Sequence, residues 1–108
     1  MSDFDKFVKL VEEGTKDLAK NTLRGYSEEA LQDAKLFLET HKEDARRWTK
    51  LLASQDLTQE DFEWLVLSRR EVAELNFLKD TGLSMVRMDR FKSALMNLVI
   101  DTAFDVFA

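Results

Sequence analysis

Apolar residues recur every three or four positions along most of the 108-residue chain. That spacing belongs to amphipathic helices, not to half-buried strands. Over residues 3–20, Phe4, Phe7, Val11 and Leu18 fall on one face with Val8 and Leu10 at its flanks, and Ser2 or Asp3 stands at a cap position. Gly14 interrupts this stretch at a cost of up to about 1 kcal/mol relative to alanine. It predicts either a weak helix or a close neighbour at that point. Residues 21–26, with Gly25, form the first connector.

The next stretch carries the clearest pattern. Leu31, Ala34, Leu38, His41, Ala45, Trp48 and Leu52 alternate in steps of three and four, the spacing of a coiled-coil seam. With Ser27 as its cap, this predicts one helix over residues 27–54, about 40 Å long. Leu36, Phe37 and Leu51 widen the stripe and suggest more than one packing partner. Thr58 then begins a capping-box-like sequence with Asp61, and Leu57 and Phe62 occupy hydrophobic-staple positions. A third helix is expected over 59–79, ended by Gly82 as a left-handed residue past the C-terminus. The fourth, over 84–106, is apolar on two adjoining strips: Met88, Phe91, Leu95 and Leu98, and beside them Met85, Met96, Val99 and Ala103. So broad an apolar surface suits the centre of a bundle or a contact between copies.

These elements predict an all-α fold: a single domain over residues 1–108, resembling a four-helix bundle with antiparallel neighbours and one long, coiled-coil-like second helix. The shorter first helix cannot cover a 40 Å second helix, and that overhang argues for a homodimer. Leu31, Leu38, Trp48, Leu52, Phe91, Leu95 and Val99 are the interface candidates.

Composition narrows the function. The chain has no cysteine, which excludes disulfides, thiol nucleophiles and thiolate metal centres. Sixteen basic against twenty-one acidic residues give a net charge of −5 and no general attraction for phosphate backbones, so no nucleic acid is expected as a partner. No apolar run approaches the roughly 20 residues of a membrane span. The acidic opening Ser2-Asp3-Phe4-Asp5 lacks the basic start of a secretory signal, so a cytoplasmic location is the expectation.

Few residues suggest chemistry. His41 is the only histidine and lies on the seam. A metal reading would combine it with Asp44, Asp101 and Asp105, but the glutamate that a di-iron bundle would place three residues before the histidine is replaced by Leu38. The competing reading makes His41, Arg69, Asn76 and Asp101 buried polar groups that set helix register, with Arg69 paired to Asp101 or Asp105. Lys42, Arg46, Arg47 and Lys50 form a basic patch that Glu39, Glu43 and Asp44 largely offset. No nucleophile elbow or glycine-rich phosphate loop is present, which points away from an enzyme, and no cofactor is implied. Trp48, Trp64 and Phe37 read as packing groups. The resulting expectation is a structural or regulatory helical protein acting through homodimerisation and contact with a protein partner. A small metal- or ligand-binding bundle is the alternative.

Overall fold

A computed structural model describes residues 2–108, whose regular structure is entirely helical. The helices are α1 (Asp3–Thr22), α2 (Ser27–Thr40), α3 (Lys42–Ala53), α4 (Gln59–Leu67), α5 (Asn76–Asp80) and α6 (Met85–Phe107). The all-α class therefore holds, but the four-helix bundle does not. Among the described residues six helices replace four, and no unusually long second helix stands out.

The helix expected over 27–54 breaks at His41, where φ is −107° and ψ 20°. The break leaves hydrogen bonds on both sides: His41 N–H donates to the Phe37 carbonyl (3.1 Å) and its own carbonyl accepts from Ala45 N–H (2.8 Å). Side-chain phase thus survives while the axis changes. The first half, α2, packs on α1 and α5, whereas α3 packs on α4 and α6. A straight rod would serve only one of these sets of neighbours. The overhang that argued for a dimer disappears with the rod.

The helix expected over 59–79 is also divided. Beyond Leu67 the chain tightens into i→i−3 bonds from Arg69 to Val66 and Arg70 to Leu67, then turns before α5. Continued helix would have kept Val72 on the apolar strip. Instead Val72 is 61% exposed, while Ala73, Leu75 and Leu78 enter the core. Two arginines hold the turn, Arg69 to Asp44 on α3 and Arg70 to Ser93 on α6.

Local signals at the ends fare better. Ser2, Thr58 and Ser84 cap α1, α4 and α6, accepting from Asp5, Asp61 and Arg87 N–H respectively. Gly82 follows α5 in the left-handed region at φ 81°. Ser27 does not cap α2: it is the first helical residue, and Tyr26 precedes it at φ 58° with no side-chain cap.

Helices α1 and α6 form the spine and run antiparallel. Phe7 meets Phe107 edge-on at 5.9 Å, and Gly14 lies against Leu98. A β-carbon at Gly14 would sit 2.8 Å from Leu98 Cδ1, so the glycine marks a close helix approach. Around this spine Phe7, Phe62, Leu78, Phe91 and Leu95 are almost wholly buried. Of the seven interface candidates, Leu38, Trp48, Leu52, Phe91, Leu95 and Val99 fill the chain's own core, and Leu31 is half-buried. The accessible surface of 6630 Å² is close to the roughly 6,200 Å² expected of a folded monomer this size. A single copy closes its core. Among the described residues, no helix is long and apolar enough to cross a membrane.

Candidate functional site

The polar residues singled out from sequence divide into a cluster and several isolated groups. The cluster lies at the α2–α3 break. Asp44 accepts from Arg69 (3.0 Å) through one carboxylate oxygen and from Arg47 (2.9 Å) through the other. The Arg69 guanidinium also lies 5.3 Å from the Trp48 ring, and its Nε is buried without a hydrogen-bond partner. The His41 ring lies tilted against Phe37, with 4.7 Å between the ring centroids. The carboxylate meeting Arg69 is therefore Asp44, not Asp101 or Asp105. Those two aspartates are exposed on α6, and Asn76 is exposed with its amide on Glu74 (3.2 Å). Buried register roles for Asn76 and Asp101 are replaced by surface positions. Among the described residues, no three His, Asp or Glu side chains form a group that could hold a metal ion.

Burial lowers the pKa of His41 below its ordinary 6.5, assisted by the Arg69 charge and opposed by Asp44. The unfolded chain then binds more protons than the native one between the lowered value and 6.5. Stability should fall as pH drops through that window. His41→Gln should remove this part of the pH dependence, checked by urea midpoints of both proteins between about pH 5 and 7.5.

Asp33 has no role in the sequence reading, yet it is the most deeply buried acid. It lies on α2 among Ala30, Ala34 and Phe37 and is 0% exposed. Its two oxygens accept from the backbone N–H groups of Phe77 (3.0 Å) and Leu78 (2.9 Å). The residue before α5, Leu75, has no side chain able to cap, so α2 supplies the cap from across the fold. Burial raises the Asp33 pKa above its ordinary value; the two backbone hydrogen bonds pull it down and Asp80 pushes it up. An acid on an otherwise apolar strip was the available signal. This group is structural, since both oxygens are engaged with backbone.

A larger concavity lies elsewhere, between α1 and α2. It is an open groove of about 620 Å³. Phe4 and Val8 of α1, Leu36 and Leu38 of α2, and Phe77 of α5 provide its apolar surface. Leu36 and Phe77 remain 39% and 46% exposed. The rims are charged: Asp5, Lys9 and Glu12 on α1, and Lys35, Glu39 and Lys42 on the other side. Arg46, from the expected basic patch, lies 4.8 Å over the ring of Phe4, a groove residue. Sequence periodicity placed Leu36 on a widened stripe, but Phe77 became visible only once α5 turned away from the α4 axis.

An apolar floor between mixed-charge rims can seat a helix or loop of another polypeptide. It offers no nucleophile–base pair. Trp64, expected to pack, is instead 70% exposed on α4. No family model, curated protein or solved structure matches this chain.

Proposed function

We propose that this domain acts through protein–protein contact, with the groove between α1 and α2 as its docking surface. The observation carrying this reading is the groove's apolar floor, left open at Leu36 and Phe77 beside a core that is otherwise closed. Apolar surface held open in a concavity by rigid helices is characteristic of recognition sites. Of the expected seam residues, Ala34, Leu38, Trp48 and Leu52 are buried in the chain's own core. The groove residues are available in the folded state.

A photo-crosslinking amino acid at Glu39, on the groove rim, tests the reading in cells that make the protein. A second variant carries it at Asp101, an exposed position on α6. A discrete adduct from position 39 and none from position 101 is the expected result. Equal labelling from both positions, or none from position 39, rejects the groove as the docking surface.

A further inference from the structure

We propose that the outer face of α4 is a separate docking surface, whose occupant is a basic, amphipathic segment of a partner protein. No residue of α4 lines the groove between α1 and α2, so this inference stands apart from the groove reading.

Helix α4 is apolar on both of its sides. Phe62 and Val66 enter the core, whereas Trp64 and Leu67 point away from it and are exposed. A helix that is apolar all round belongs in an interior, with neighbours on every side. The apolar strips of α6 have such neighbours in α1, α3 and α4. Helix α4 packs on α3 and α6 and has its outer side uncovered. The chain's other tryptophan, Trp48, is buried.

The charges around Trp64 define what fits there. Steps of three and four link Glu60 to Glu63 and Trp64, and link both of these to Leu67. The four side chains therefore share one helix face. Both glutamates are exposed, and neither forms an ion pair with another described residue. No lysine or arginine occurs between Lys50 and Arg69, and the guanidinium of Arg69 is turned to Asp44. Glu60 suits the dipole at the start of α4, but Glu63 lies beyond the first turn and has no such local role. An exposed indole beside two free carboxylates favours a cation: an arginine or lysine can lie on the ring while its charge meets a carboxylate. Leu67 offers contact to an aliphatic residue next to that cation. The same carboxylates repel nucleic-acid phosphates and anionic lipid surfaces.

A second copy is a poor source of the cation. The net charge of −5 opposes self-contact, and arginines of the chain's own basic patch are engaged, Arg46 over Phe4 and Arg47 with Asp44.

The test is fluorescence anisotropy with a labelled helical peptide that carries arginine and leucine four residues apart. The wild type should bind it at low salt with a Kd at or below about 100 µM, and more weakly as salt is added. Trp64→Ala should weaken binding by about tenfold, and the double variant Glu60→Gln, Glu63→Gln by about three- to tenfold. All three positions are exposed, so the urea midpoints of these variants should match the wild type. A peptide with glutamate in place of each arginine should not bind, and Leu36→Ser, in the groove, should bind as the wild type does. Absence of binding overturns the proposal, as does equal binding of the glutamate peptide or indifference to Trp64→Ala. Loss of binding in Leu36→Ser alone places the peptide in the groove and also overturns it. So does a peptide-free dimer, seen by sedimentation, that Trp64→Ala dissociates, because the occupant is then a second copy. The groove reading is decided independently by the adduct at position 39, which none of these variants alters.

Discussion

Asp33→Ala should lower the free energy of unfolding by about 2–4 kcal/mol, read from urea denaturation at neutral pH. The substitution removes two hydrogen bonds made by one carboxylate and strands the Phe77 and Leu78 amides at a buried helix start. The charge's own burial already works against it, which keeps the expected loss below that of two unopposed charged hydrogen bonds. Asp33→Asn retains one acceptor but turns an N–H₂ group toward the second amide, so an intermediate loss is expected. Their pH dependence separates carboxylate from shape. With its folded pKa raised, the native Asp33 holds its proton longer than the unfolded chain does. Its contribution is greatest in acid and declines as pH rises from 3.8 through the raised folded value. The amide of the Asp33→Asn variant does not titrate and has no such slope. Equal slopes in the wild type and this variant would show that Asp33 does not titrate as its surroundings require.

Phe91→Ala should cost about 3–5 kcal/mol, the range for removing a fully buried aromatic ring from a core. Sequence periodicity offers Phe91 as a contact between copies, whereas the fold surrounds it within one chain. Protein concentration distinguishes these positions. A ring lost from the monomer core lowers the unfolding midpoint by the same amount at every concentration, and a ring lost from an interface does not. A concentration-dependent loss would place Phe91 between copies after all.

How much of this architecture is legible in the sequence depends on where each helix boundary gets its energy. Ser2, Thr58, Ser84 and Gly82 mark boundaries with groups that bond or bend locally, and the sequence carries those marks. The breaks at His41 and after Leu67 carry neither glycine nor proline. At His41, the bonds linking Phe37, His41 and Ala45 keep the three-and-four spacing continuous through the bend, so periodicity reports one helix where two exist. After Leu67, contacts more than twenty residues away, from Arg69 to Asp44 and Arg70 to Ser93, outweigh local helix preference. The candidate site follows the same division. Leu36 and the charged rims are visible as helix faces, but the groove needs the antiparallel packing of α1 and α2 and the placement of Phe77 by the Asp33 cap.

The close approach of α1 and α6 at Gly14 has a consequence for how this sequence can drift. Leu98 occupies the space a β-carbon at position 14 would take, and the atoms in conflict are the ends of its side chain. Substitution at 14 is therefore conditional on 98. Lineages that enlarge the glycine should either shorten the leucine or turn the ends of its half-buried side chain aside. The two positions, 84 residues apart in the chain, should therefore constrain one another.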